Sequence, residues 1–367
     1  MAPSSSPTLT PARPAQTIAG PLPTLAGLAT AAPAQTLDQQ QMLELLGLAD
    51  DPFAQAIFAR CGVRRRHLDL TPELLRQTLQ QRSARSEQRS LELAEEAIAQ
   101  LDLDPAAIGV VVTASIGTHG LPTLAHRLVD GLGLPADVDK YHVVGVGCAS
   151  AVPLLRLAGQ ALRDRPGQQA LVVAAEWMSG ILTPVRPGDE KVKTVGSSLF
   201  GDGAAAALLT LEEPGDGGSC AGGLPTLLAS AVHQLPGSLG DVKSVMTADD
   251  SQIQMSKALP LYARTELAGL IDRFLARHAL TRGEIDHWPV HPGGRGILEG
   301  IQEGVGLTDD DVAASAAVLA EHGNVGTPSA FFVLRELVTR TAPGAGERGL
   351  MVTIGPGVTV GLALWQW

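Results

Sequence analysis

Three residues far apart in the chain have side chains suited to thioester and carbon–carbon chemistry: Cys148, His291 and Asn324. Cys148 stands in VVGVGCASAV, an apolar run that turns through glycines into a helical pattern. Glycine permits the tight turn, and a thiol at a helix start feels the positive end of the helix dipole, which favours thiolate. Thiolate is the form that attacks a thioester carbonyl. A buried structural thiol is the commoner fate of a lone cysteine, and the glycine-flanked strand-to-helix position weighs against it. His291 ends the run HWPVHPGGR, where Pro292, Gly293 and Gly294 turn the chain. A histidine at such a rim faces a crevice, where it can hold a thiolate or donate to a carbonyl oxygen; its plainer role is to cap or pack. Asn324, in EHGNVGTPSA, is the only asparagine in the chain. Its amide N–H beside an imidazole makes an oxyanion hole for an enolate. Its alternative role is to take a left-handed turn.

Together the three suit a decarboxylative Claisen condensation. The thiolate carries an acyl chain, and the two donors stabilise the enolate left when a malonyl group loses carbon dioxide. Decarboxylation itself generates the carbanion, so no carboxylate base is required. No CxxC or HExxH pattern points to a metal.

Positioning these groups takes strands that end where the reactive side chains stand. Apolar, β-branched runs alternate with helical periodicity, the pattern of an α/β protein. Strands are predicted over 18–31, 108–115, 141–146, 170–175, 204–211, 227–232, 287–290, 349–354 and 358–365. Helices are predicted over 39–46, 51–61, 86–101, 123–132, 149–163, 257–278 and 327–340, with another from 296. A loop covers 184–193, and EEPGDGGSCAGG over 212–223 reads as a break. The expected organisation is a flexible tail and lead-in strand over 1–35, a half carrying Cys148 over 36–215, and a half carrying His291 and Asn324 over 216–367. The halves look like copies of one strand–loop–helix plan.

The composition supports a large core, with 45% hydrophobic residues but only 3% aromatic, so that Ala, Leu, Val and Ile must fill it. A net charge of -11 disfavours nucleic acid as a partner and leaves room for a local basic patch. Cys61, Cys148 and Cys220 are too few and too odd in number for a disulfide framework, and a reduced, cytoplasmic setting is expected. No apolar run reaches the roughly 18 residues of a membrane span. The Pro/Ala/Ser/Thr-rich start lacks the form of a secretory signal.

Six segments in order then carry a resemblance: RRRHLDLT at 64–71, GCAS at 147–150, SSLFGDGAAA at 197–206, VHPGGRGIL at 290–298, HGNVGTPSAFFVL at 322–334 and IGPGVTV at 354–360. With them the chain resembles the type III polyketide synthases, the chalcone synthase superfamily, from about residue 43 to the last residue. The resemblance implies an α/β thiolase fold with a duplicated, five-layered αβαβα architecture. It implies a homodimer that uses acyl-CoA and malonyl-CoA without a cofactor, and it places the catalytic roles on Cys148, His291 and Asn324. Phe200 matches the family's gatekeeper between CoA tunnel and reaction cavity, and core packing is its plainer role. Ile253 falls where a second gatekeeper phenylalanine stands, a departure that should alter starter choice. Leu121, before Pro122, matches a loop reaching across the dimer. Gly326 replaces a serine of many plant members, and Ile354 lies near a position that often holds phenylalanine. Arg60, with Arg64 and its neighbours, matches basic residues that bind CoA, a solvated helix end being the plainer reading. Gly355-Pro356-Gly357 reads as a scaffold turn, since it lacks the lysine of a phosphate loop.

The closing ALWQW and the HWPVH run look most like bacterial members, so a pyrone, a resorcinol or a dihydroxyphenylacetyl-type product is expected. A ketoacyl synthase III shares the fold and the catalytic set, but typically follows its histidine with Gln-Ala-Asn, whereas Pro292-Gly293-Gly294 follows here. A cysteine-dependent thioester hydrolase and a non-catalytic thiolase-fold scaffold are the readings from other classes.

Overall fold

Runs of Val, Ala and Leu form strands with both faces buried, and such strands require helices on both sides. The computed structural model describes residues 20–118, 120–185, 191–213, 223–246 and 251–367. The tail before residue 20, His119, the centre of the 184–193 loop, Cys220 and the expected junction at 215/216 lie outside the described residues. In chain order the strands are β1 (Leu22–Ala31), β2 (Thr36–Asp38), β3 (Arg65–His67), β4 (Ile108–Ala114), β5 (Asp139–Val143), β6 (Gln169–Glu176), β7 (Gly203–Glu212), β8 (Thr226–Gln234), β9 (Val242–Met246), β10 (Ser251–Met255), β11 (Arg348–Gly355) and β12 (Thr359–Gln366).

Eight of them hydrogen-bond in the order β11-β12-β8-β1-β7-β6-β4-β5. In the first half β4 runs parallel to β6, which is antiparallel to β7, which is antiparallel to β1. The second half repeats the series. His287 and Val290 bridge in parallel to Gly349 and Val352 of β11. Strand β11 is antiparallel to β12, and β12 to β8. The halves meet where Thr24 of β1 pairs with Thr226 of β8.

Three cores give the layers. The helices Ala151–Ala161 and Ser329–Thr341 share one core with Val110, Val172 and Ala205 of the first half and Met351 and Ala363 of the second. Helices Leu79–Ile98 and Leu124–Gly131 cover the other face of the first half, against Val111, Leu171 and Ala206. Helices Leu259–Thr265, Leu267–Ala276 and Arg295–Val305 cover the second half, against Leu350, Val352 and Leu362. The result is the expected αβαβα sequence of layers.

Some boundaries differ from the sequence reading, for physical reasons. The helix expected over 86–101 begins at Leu79, because Thr78 and Gln81 form a capping box ahead of a polar first stretch. The helix expected over 257–278 is two, Leu259–Thr265 and Leu267–Ala276. The Thr265 hydroxyl donates back to the Leu261 carbonyl at 3.1 Å at the junction, a contact that bends helices. The strand expected over 141–146 ends at Val143, and the two bridges at 287 and 290 replace a continuous strand. The β9–β10 hairpin and the helix Ala313–His322 were not foreseen.

One buried cation ties this frame to the site. Arg66 is 0% exposed; its guanidinium donates to the carbonyls of Ser197 at 2.8 Å and Phe200 at 3.1 Å, and to Gln39 Oε1 at 2.8 Å. Burial lowers it to about 10, still well above neutral pH. Arg66→Ala strands these acceptors in the interior, so urea denaturation should register a loss of about 2–4 kcal/mol. An unchanged midpoint would mean that the loop at Phe200 holds without it.

Candidate active site

Cys148 sits in a single 3-10 turn, Gly147–Ala149, directly ahead of the central helix Ala151–Ala161. Gly147 has φ +55°, and a Cβ there would lie 2.8 Å from Pro356 Cδ. Gly355 answers from the other side, where a Cβ would lie 2.7 Å from both Ala149 N and Val146 O. The Gly355-Pro356 turn thus packs directly on the cysteine turn, the Pro356 ring against Gly147 and Gly355 against backbone, and only glycine fits at both contacts.

His291 ends the segment that bridges to β11, its backbone N–H donating to the Val352 carbonyl at 2.8 Å. The side chain is buried, Nδ1 has no hydrogen-bond partner, and desolvation lowers the imidazole to about 4. The ring is therefore neutral at pH 7.

Asn324 lies between Gly323 and Gly326, which take positive φ of +69° and +70°, while Asn324 itself does not. The left-handed positions belong to the glycines, so a left-handed conformation does not explain the asparagine. Its Oδ1 accepts from the Gly326 N–H at 2.9 Å and the Ser329 hydroxyl at 3.1 Å. That fixes which end of the amide is oxygen and leaves Nδ2 as the donor end. The Cys148 thiol also donates to this oxygen, at 3.8 Å.

The three residues line one cavity of about 420 Å³, together with Phe200, Ile253 and Ile354. Phe200 and Ile253 also line a smaller, separate pocket with Thr183 and Lys193, so they stand as a partition. Phe200 is held by the backbone on either side. The Asn324 N–H donates to the Leu199 carbonyl at 2.9 Å, and the Gly201 N–H to the Asn324 carbonyl at 3.1 Å.

Other expected residues do not reach the cavity wall. Leu121 is 87% exposed. Gly326 is buried behind Asn324, where a Cβ would lie 3.2 Å from Glu176 Cγ. Arg60 ends the helix Pro52–Arg60 on the surface. Arg64 and Arg65 share the carboxylate of Glu321, and Arg66 points inward, so the triple-arginine run is not a free basic patch.

Glu176 was missed. It closes β6 fully buried, accepting from the amides of Ile116 at 2.8 Å and Gly117 at 3.3 Å and from the hydroxyls of Ser115 and Thr327. Burial pushes it up to about 7. The available signal was a carboxylate ending the wholly apolar run ALVVAA. Burial first, then the charge of Glu176, pushes the Cys148 thiol up to about 12, against the opposing hydrogen bond to Asn324. Burial and the Glu176 carboxylate thus oppose the thiolate that the helix dipole favours, and burial likewise opposes the imidazolium.

Comparison with known proteins places this geometry. Residues 33–218 match the family described as FAE1/type III polyketide synthase-like protein, and residues 226–366 match the C-terminal domain of chalcone and stilbene synthases. The chain belongs to the type III polyketide synthases. It is 31% identical to 1,3,6,8-tetrahydroxynaphthalene synthase of Streptomyces peucetius subsp. caesius, over 94% of this chain and 93% of that protein. It is 29% identical to 3,5-dihydroxyphenylacetyl-CoA synthase of Streptomyces toyocaensis, over 95% and 90%. The crystal structure of PKS-I from the brown alga Ectocarpus siliculosus superposes with a TM-score of 0.86 at 26% identity, covering 94% of this chain and 98% of that one. The synthase is therefore an acyltransferase of the decarboxylative condensing kind, with a thiolase fold and bacterial relatives.

Alkylation of Cys148 by iodoacetamide, followed on its own peptide, should rise about tenfold per pH unit from about pH 7 to about pH 10 without a plateau. The thiolate fraction grows in that proportion below the thiol's pKa. Glu176→Gln removes the neighbouring charge and should raise the rate several-fold at about pH 8. A plateau below about pH 8 in the wild type would show a preformed thiolate.

Proposed function

We propose that the synthase loads an acyl group from acyl-CoA onto Cys148 and extends it with malonyl-CoA, in the cavity lined by Cys148, His291 and Asn324. The convergence of these three on one cavity, from three distant segments, is the observation that carries the reading. In loading, the sulfur attacks the thioester carbonyl, its proton passes to the neutral His291, and CoA leaves. The malonyl carboxylate then departs as carbon dioxide, its bonding electrons staying as an enolate. The imidazole and the Asn324 amide donate to that oxygen, where a water-poor site makes each donor count. The enolate attacks the Cys148 thioester, a carbon–carbon bond forms, and the thiolate is released.

Phe200 and Ile253, shared between the cavity and the pocket behind it, set how far a growing chain reaches. Ile354 shapes the opposite wall. Gly326 leaves no free space beside Glu176: at φ +70° a side chain there would be strained and its Cβ would crowd Glu176 Cγ at 3.2 Å. CoA lies along the rim where Arg60 stands: the adjacent Cys61 carbonyl accepts from the Arg295 N–H at 3.1 Å, just after the His291 turn. Arg64 serves that rim only by leaving Glu321. A second copy of the chain completes the cavity with Leu121. Support comes from the exposure of Leu121 and from Val144, which lines the cavity while 52% exposed. Two of the bacterial relatives, each matched over 90% or more of both chains, are named for small aromatic products. That favours a dihydroxyphenylacetyl-type or resorcinol product over a long-chain pyrone. No described helix is long and apolar enough to cross a membrane, and a reduced cytoplasmic setting suits the free thiols Cys61 and Cys148.

Incubated with malonyl-CoA and a series of acyl-CoAs, the wild type should show acyl mass on the Cys148 peptide, carbon dioxide release and a polyketide product. Cys148→Ala should show no adduct. Asn324→Ala should still load but decarboxylate malonyl-CoA about 10²–10³-fold more slowly. Equal loss of loading and decarboxylation in Asn324→Ala would assign the amide to the thiol rather than the enolate. Adducts that hydrolyse without extension would favour a thioester hydrolase.

A further inference from the structure

The pocket behind Phe200 and Ile253 holds about 20 Å³ of free space, enough for about one water and too little for a further two-carbon unit. Whether a growing chain passes the partition therefore depends on how firmly the rest of the pocket wall is held. Met178, Ile181, Leu182 and Thr183 form part of that wall, on and just after the 3-10 turn Met178–Gly180 that follows β6. Arg82, on the helix Leu79–Ile98, is 1% exposed and grips this segment at two points. Its guanidinium donates to the Ser179 carbonyl at 3.3 Å and to the Leu182 carbonyl at 2.5 Å. Among the described residues no carboxylate pairs with Arg82, and its Nε has no hydrogen-bond partner. Burying an unpaired cation costs stability, so packing alone does not account for an arginine here. The helix lies directly on the turn, since a Cβ on Gly180 would lie 2.2 Å from Ser86 Oγ. A second tether comes from Asp202, two residues beyond Phe200, which accepts from the Ser179 N–H at 2.8 Å and the Ser179 hydroxyl at 2.6 Å. The turn is thus anchored to the Phe200 loop without Arg82, so loss of the arginine loosens this wall without releasing it.

We infer that Arg82 is a specificity-determining positioning residue: by holding the Ser179 and Leu182 carbonyls it fixes the depth of the pocket behind Phe200 and Ile253, and with it the longest chain that the site accepts. It acts through the wall residues and touches no substrate. The inference rests on the reading of Phe200 and Ile253 as the partition that a growing chain meets. A planar guanidinium suits the role because its rigid fork spans two carbonyls at a fixed spacing, which a point charge or an apolar chain does not.

Arg82→Met keeps the bulk and removes both donors, and its product spectrum tests the inference. Given malonyl-CoA and the acyl-CoA that the wild type loads best, the variant should raise the proportion of products at least one two-carbon unit longer than the wild-type product about tenfold, with acyl loading on the Cys148 peptide within about twofold. An arginine that only supports the fold would lower loading and all products together and leave their ratio unchanged. Where Arg82→Met does not fold, Arg82→Gln is read instead, since it keeps a donor but cannot span both carbonyls. The wild-type product ratio in a folded variant that still loads overturns the inference. Should the wild type extend no acyl-CoA, the condensation reading fails instead. Crystal structures of the wild type and the variant then read the wall directly. The pocket should open from the space of about one water to that of about two or more. A Ser179–Leu182 segment in its wild-type place, with the pocket no larger, overturns the inference whatever the activity.

Discussion

The site depends on a short backbone stitch between the two halves of the molecule. Asn324 donates its N–H to Leu199 and accepts from Gly201, so the loop of the first half that carries Phe200 and the loop of the second half that carries the amide form one ladder. The approach is close enough that a Cβ on Gly323 would lie 2.3 Å from the Leu199 carbonyl, and one on Gly201 would lie 2.4 Å from the His322 carbonyl. Arg66 caps this ladder from beneath by binding the Ser197 and Phe200 carbonyls. Because both loops are held by main chain, partition and amide keep one relative position whatever lies in the cavity. That is the preorganisation an oxyanion donor requires.

The second constraint is desolvation. The same enclosure that makes hydrogen-bond donors effective disfavours charge on each titratable group in the site. It pushes Cys148 up to about 12 and Glu176 up to about 7, and it lowers His291 to about 4. Desolvation therefore works against charge on both the thiol and the ring. The Glu176 carboxylate, fixed by two backbone amides and two hydroxyls, is the one group that alters the thiol's balance from outside the expected trio.

The β9–β10 hairpin contributes Val242, Lys243, Ser244, Ile253 and Met255 to one side of the cavity, and it pairs with no strand of the main sheet. Cys148, His291 and Asn324 stand on or beside glycine-bearing turns, whereas this part of the wall belongs to a separate two-stranded sheet.

Much of this was legible in the residues. Glycines on both sides of Cys148 and Asn324 and the Pro-Gly-Gly after His291 report turns that only such residues can make, and turns of that kind present side chains to a crevice. Alternating strand and helix periodicity carried the layered α/β plan, because burial on two faces leaves a continuous apolar run. The sequence also carried the family, through six ordered segments. Tertiary structure alone decided the rest. Whether Cys148 is thiol or thiolate depends on its distance from Glu176 and from water, and neither follows from local pattern. Arg64, Arg65 and Arg66 read alike in sequence, yet two pair with Glu321 and the third is buried, because the fold supplies a carboxylate outside and carbonyls inside. The β9–β10 hairpin consists of two five-residue strands with little apolar run to announce them, and only the fold brings it to the wall of the cavity that Cys148 also lines.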